Sequence, residues 1–144
     1  KSRLHMLSAF GKTALPLPLQ SGSNTTGANS IAYSNNGMLV AGGDFSQPLR
    51  SDSSFTVVSF KAPTPKPAQA PAYTSCLAIT PQQHLLASGI GGVWFATYAD
   101  TEIGNAWQAW KNLTNTTMHV LRIAPDASLA FTAGSRGMIG KIVW

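Results

Sequence analysis

Cys76-Leu77-Ala78-Ile79-Thr80-Pro81-Gln82-Gln83-His84-Leu85-Leu86-Ala87-Ser88-Gly89 reads as a strand, a turn and a second strand. Leu77 and Ile79 alternate with small residues, the period of two that marks a strand with one buried face. Pro81 presets φ at the first corner of a turn. The closing Gly89 admits a tight bend or a close neighbouring backbone. The same pattern occurs at Ser30–Gly43 and at Val120–Gly134. Aligning Ile31, Leu77 and Leu121 brings Asn35-Asn36-Gly37, Pro81-Gln82-Gln83 and Pro125-Asp126-Ala127 together as turns. The Asn-Gly pair suits a turn because it tolerates positive φ. One extra residue then falls in the third turn, and Gly43, Gly89 and Gly134 recur about 45 residues apart, a period typical of repeat architectures.

Between these units lies more strand material: Phe55-Thr56-Val57-Val58-Ser59-Phe60, Gly92-Val93-Trp94-Phe95-Ala96-Thr97-Tyr98 and Gly137–Trp144, rich in β-formers. Asp100–Leu113 admits a short helix, but Gly104 and the paired Trp107 and Trp110 fit a turn and a strand better. The expected fold is all-β: a β-propeller-like array of about three four-stranded blades, either partial or part of a larger or oligomeric propeller. The repeats occupy 29–60, 74–113 and 118–144. A proline-rich linker at 61–73 is expected to run extended. Residues 1–28 form a leading segment, read as the end of a preceding blade, with 21–29 as a loop.

Charged residues make up only 10% of the 144, with a net charge of +5 spread along the chain. No dense Lys/Arg run tracks a nucleic-acid backbone, so no nucleic-acid partner is expected. No apolar stretch approaches a membrane span. The single cysteine, Cys76, permits no internal disulfide and no cysteine metal cluster. His5, His84 and His119 lack metal-ligand spacing, and neither a metal nor a cofactor is expected. Low charge with many hydroxyls and amides suggests an exported protein: periplasmic, cell-surface or secreted. The chain begins at Lys1 without Met and reads as mature, processed or part of something longer.

The run Leu39-Val40-Ala41-Gly42-Gly43, followed by a degenerate Asp-box, resembles the bacterial neuraminidase repeat. More closely it resembles the propellers of photosystem II stability and assembly factor-like proteins. An Asp-box reads Ser-x-Asp-x-Gly-x-x-Trp, its Asp tying down backbone N–H groups. Tyr98–Trp107 keeps Asp100, Gly104 and Trp107 with two residues inserted, and Arg50–Phe55 keeps Asp52 and an aromatic but has lost the glycine. Gly89–Trp94 and Gly134–Ile139 resemble the family's Gly-x-x-Gly approach to the outer strands. The resemblance covers about residues 29–144 and implies structural roles for Asp52, Asp100, Gly104, Trp107, Gly43, Gly89 and Gly134.

A sialidase of that kind would need an arginine cluster, an acid/base Asp and a Tyr activated by a Glu. This chain offers Arg3, Arg50, Arg122 and Arg136, but Glu102 is its one Glu among five acids. Glycoside hydrolysis ordinarily uses a facing carboxylate pair. No catalytic residue is assigned and no enzyme is expected. Trp94, Arg122 and Arg136 are the candidate binding surface, Trp94 because an aromatic ring could stack on a sugar. Closed propellers usually need at least four blades, so open edges and faces would invite association. The expected function is a non-catalytic protein-interaction or assembly scaffold, completed by a protein partner or by self-association. The alternatives are a glycan-binding, lectin-like propeller and a sialidase-like fragment.

Overall fold

The computed structural model describes residues 3–8, 11–61, 64–68, 71–98 and 107–144. Their regular structure is β throughout, apart from a 3-10 turn at Ser135–Gly137. Strands β1 (Arg3–Ser8) and β2 (Gly11–Pro16) pair as an antiparallel hairpin. A first sheet runs through β3 (Thr26–Ser34), β4 (Gly37–Asp44), β5 (Phe55–Ser59) and the two-residue β6 (Lys66–Pro67). A second contains β7 (Cys76–Ile79), β8 (Leu85–Gly89), β9 (Gly92–Tyr98) and β10 (Trp107–Thr114). A third contains β11 (Met118–Ile123), β12 (Leu129–Gly134) and β13 (Ile139–Val143). Each is an open antiparallel meander whose strands lie side by side in chain order. No helix among the described residues is long and apolar enough to cross a membrane.

The proline-rich segment is not wholly linker. Lys66 and Pro67 pair with Val57 and Thr56 at the rim of the first sheet, where proline's missing N–H is tolerated because the strand is an edge.

The three hairpin turns lengthen by one residue at each step. Ser34 pairs with Gly37 across Asn35-Asn36. Thr80 N–H donates to the His84 carbonyl across Pro81-Gln82-Gln83, and Ala124 N–H donates to the Leu129 carbonyl across a four-residue turn. Pro81 and Pro125 take the first corner as expected, with the i→i+3 bonds Gln83 N to Thr80 O and Ala127 N to Ala124 O both 2.8 Å. Gln83 and Ala127 then adopt φ of 65° and 59°. The first turn departs from expectation, because neither Asn36 nor Gly37 has positive φ. Gly37 is instead required by space, since a Cβ there would strike the Val58 carbonyl.

That shorter first turn shifts the repeat register. The structural counterpart of Gly89 and Gly134 is Gly42, not Gly43. A Cβ on Gly42, Gly89 or Gly134 would fall on the carbonyl oxygen of Gly27, Tyr73 or Thr117 respectively. In the second and third sheets that carbonyl lies just before the first strand, and in the first sheet it lies at the start of β3. Gly43 has a different constraint, a φ of +112°.

The sheets stack face on face. Ala32, Leu39, Ala41, Phe55 and Val57 of the first meet Leu77, Leu85, Ala87 and Ala96 of the second. The second sheet's other face carries Leu86 and Val93 against Met118, Leu121 and Ala130 of the third. The first sheet's far side is covered by Leu15, Leu17 and Leu19 packing on Met38, Val40 and Val58. Strands β4 and β8 are therefore buried along their whole length, which is why Leu39-Val40-Ala41 and Leu85-Leu86-Ala87 are continuous apolar runs rather than alternating ones. Burying a side chain such as Leu39 or Leu85 contributes roughly 1.5–3 kcal/mol.

Between sheets, β3 lies near β7, and β11 lies near both β8 and β7. Leu77 N–H donates to Ser30 Oγ at 3.0 Å, and Cys76 Sγ lies 3.7 Å from the Leu121 carbonyl oxygen.

Candidate functional site

Strand β12 breaks the pattern of its counterparts. Its burial alternates, with Ala130 and Thr132 buried and Phe131 and Ala133 exposed. Alternation means that one face is packed and the other open. Strand pairing arranges the open face as three rows: Leu129 beside Val143, Arg122–Phe131–Lys141, and Val120–Ala133–Ile139. Phe131 is 50% exposed, Ile139 77% and Val143 68%. These apolar groups surround two cations at cross-strand positions on either side of the Phe131 ring. Among the described residues, neither Arg122 nor Lys141 makes an ion pair. Arg122 Nη1 donates only to the Leu121 carbonyl, at 2.9 Å. The sheet's sole carboxylate, Asp126, sits in the turn and accepts from Ser128 N–H at 3.1 Å and Ser128 Oγ at 2.8 Å.

The expected binding residues are dispersed. Arg122 lies on this open face, while Arg136 is exposed in the 3-10 turn with φ of 59°. Trp94 is 8% exposed, its ring filling the space beside Gly91, so it presents no open aromatic face. Asp100 and Gly104 lie outside the described residues. Trp107 opens β10, paired with Tyr98. The four arginines stand on different elements: β1, the loop after β4, β11 and the 3-10 turn.

Asp52 does not tie down its turn as an Asp-box aspartate would. Its carboxylate takes the Arg50 guanidinium in two 2.7 Å bonds, and its backbone carbonyl accepts Gln20 Nε2 at 2.6 Å. The Arg50 interaction holds the Asp52 carboxyl below its ordinary range. The anchoring role falls to Asp44, whose Oδ1 accepts from Ser46 N–H, Ser46 Oγ and Thr25 Oγ1 at 2.9, 2.7 and 2.7 Å. Bonds from Ser46 and Thr25 hold the Asp44 carboxyl below its usual value. The pattern Asp-x-Ser, in which an Asp side chain can bond its own backbone two residues on, occurs at Asp44-Phe45-Ser46, Asp52-Ser53-Ser54 and Asp126-Ala127-Ser128, so it does not by itself separate Asp44 from Asp52.

Asp44 also borders a shallow cleft of about 510 Å³, with Gln20, Ser21, Ser23, Gln47 and Arg50 around it. Gln20 clamps the far wall through its N–H to the Ser53 carbonyl, 2.8 Å. His119 is placed between two hydroxyls, 3.4 Å from Ser75 Oγ and 3.4 Å from Ser135 Oγ. It ties the approach to β7 to the turn after β12. Among the described residues no three His, Cys, Asp or Glu side chains converge on a metal-sized site.

Comparison with protein-family models finds no match for the chain, and comparison with curated proteins finds none either.

Proposed function

We propose that this chain is a non-catalytic assembly module, built of propeller-blade-like sheets and joined to other proteins through the open face of its third sheet. One observation carries the reading. The second sheet is covered on both faces and the first is covered over β4 and β5, with Ile31 and Tyr33 of β3 left exposed, whereas the outer face of β11–β13 leaves Val120, Phe131, Ile139 and Val143 in solvent across all three strands. A face of this kind, apolar at its centre with cations beside it, suits contact with protein. Antiparallel meanders in chain order support the blade comparison, since propeller blades are four-stranded sheets of this kind.

Light scattering after size exclusion tests the reading. The wild type is expected to show mass above the 15.2 kDa monomer as concentration rises. Phe131→Glu should return it to the monomer without loss of fold. A wild type that stays monomeric throughout a wide concentration range would overturn the proposal.

The polar cleft beside Asp44 favours a second reading, a glycan-binding surface. Hydroxyl and amide groups in a shallow open site suit sugar hydroxyls. A glycan array probed with the wild type and with Gln47→Ala decides it: binding lost in the variant supports this reading, and an array without signal removes it.

A further inference from the structure

The cleft beside Asp44 is braced across its two walls, the segment 18–26 and the loop 44–53. Gln20 N–H donates to the Ser53 carbonyl at 2.8 Å, and Gln20 Nε2 to the Asp52 carbonyl at 2.6 Å. Phe45 N–H donates to the Thr25 carbonyl at 2.9 Å, and Thr25 Oγ1 to Asp44 Oδ1 at 2.7 Å. Walls tied in this way lose little freedom when a ligand binds. Within them, two acceptors lack donors. Gln20 is 6% exposed, and its Oε1 is buried without a hydrogen-bond partner, a costly state for an acceptor. Asp44 is also 6% exposed. Its Oδ1 receives all three bonds from Ser46 and Thr25, and no described residue donates to Oδ2. Those bonds hold the carboxyl below its usual range, so it is ionised at neutral pH. Arg50, the one cation among the residues lining the cleft, is committed to Asp52 by two 2.7 Å bonds. The cleft thus keeps one carboxylate that, among the described residues, makes no ion pair, on a chain of net charge +5.

We infer that this cleft takes an amino sugar, a hexosamine unit whose amine is free and protonated. Its ammonium would stand on Asp44 Oδ2, supplying both the missing donor and the missing charge in a charge-assisted bond. A ring hydroxyl would offer Gln20 Oε1 the hydrogen it lacks. The rest of the lining favours a sugar over a plain amine. Ser21, Ser53 and Gln47 border the same space, and each can donate as well as accept, which matches ring hydroxyls and gives nothing to an alkyl chain. The volume of about 510 Å³ falls within the roughly 300–1,000 Å³ of small-molecule sites. An acidic sugar is disfavoured, because its carboxylate would meet Asp44 while Arg50 is already paired. The inference rests on the glycan reading of this cleft and narrows it to one class of sugar.

The probes are a short glucosamine oligosaccharide and its fully N-acetylated twin, titrated at about pH 6, below the range of such amines. Backbone amide shifts report where each binds. The free-amine form should move Ser21, Asp44 and Gln47. The N-acetylated twin should bind at least about tenfold more weakly, equivalent to about 1.4 kcal/mol. Added salt should weaken the first and leave the second unchanged, because only the first uses a charge. Asp44→Asn keeps an oxygen for Ser46 and Thr25, and should bring the twins to equal affinity, with its fold checked by thermal unfolding. The twin comparison and the salt series use wild type, so the test stands even where that variant fails to fold. Equal binding of the twins by wild type overturns this inference and leaves the broader glycan reading in place. Shifts from neither twin remove both. A simple alkyl diamine that binds as tightly as the glucosamine form, with the same shifts, overturns the sugar and leaves only the charge.

Discussion

Gly42, Gly89 and Gly134 occupy the same place in three sheets, each lying against a carbonyl that leaves no room for a Cβ. Alanine at any of them must push one backbone segment off another, and overpacking of that kind costs about 1–3 kcal/mol or more. Thermal or urea unfolding should show all three variants destabilised. Gly27→Ala, with nothing within 4 Å of the added atom, should be close to neutral and serves as the control. Asp44 gives a pH prediction. Its carboxyl is held low by bonds from Ser46 and Thr25, so its contribution to stability is fully present above the unfolded-state value of about 3.9. That contribution is lost as pH falls through the lower native value. Asp44→Asn should flatten the acid limb of a stability-versus-pH curve. An identical acid limb in wild type and variant would show that Asp44 contributes nothing there.

At the scale of elements, the turns and the strand faces make separate predictions. Gln83 and Ala127 sit at φ of 65° and 59°, a conformation costing non-glycine residues roughly 1–2 kcal/mol. Glycine at Ala127 should raise stability by up to about 1 kcal/mol, after its greater unfolded-state entropy is subtracted, whereas at Gln83 the gain is offset by loss of the side-chain oxygen that accepts Asn35 N–H at 3.0 Å. Chemical denaturation measures the gain. Leu121 is 1% exposed and anchors β11 on the second sheet. Leu121→Ala should cost about 2–5 kcal/mol, read in the same experiment. The strands themselves were legible: paired apolar residues such as Leu77 and Ile79, turn prolines and β-branched runs such as Phe55–Ser59 announce them locally. The first turn's length was not. Asn35-Asn36-Gly37 carries residues fit for a three-residue turn, and only the pairing of Ser34 with Gly37 shows that two residues suffice. A one-residue difference turns every following side chain to the other face, which is why Leu39 and Leu85, aligned in sequence, look at one another across a single core.

For the molecule as a whole, packing is graded along the stack. The second sheet has sheets on both sides, and the third has a neighbour on one side only. Amide exchange should therefore be slowest in β8, at Leu85–Ala87, and faster in β13, where local opening exposes less buried surface. Equal protection in the two strands would contradict this grading. An all-β chain that repeats a strand–turn–strand unit was legible from the residues alone, because alternation, turn chemistry and glycine placement are local properties. Asp-x-Ser occurs at Asp44, Asp52 and Asp126 alike, and only the fold shows that Asp44 and Asp126 bond the serine while Asp52 takes Arg50. Packing alone sets which face each side chain takes, encloses Trp94, and leaves Phe131 open between Arg122 and Lys141. Those outcomes depend on what packs across from each strand, a relation between distant segments that no local pattern encodes.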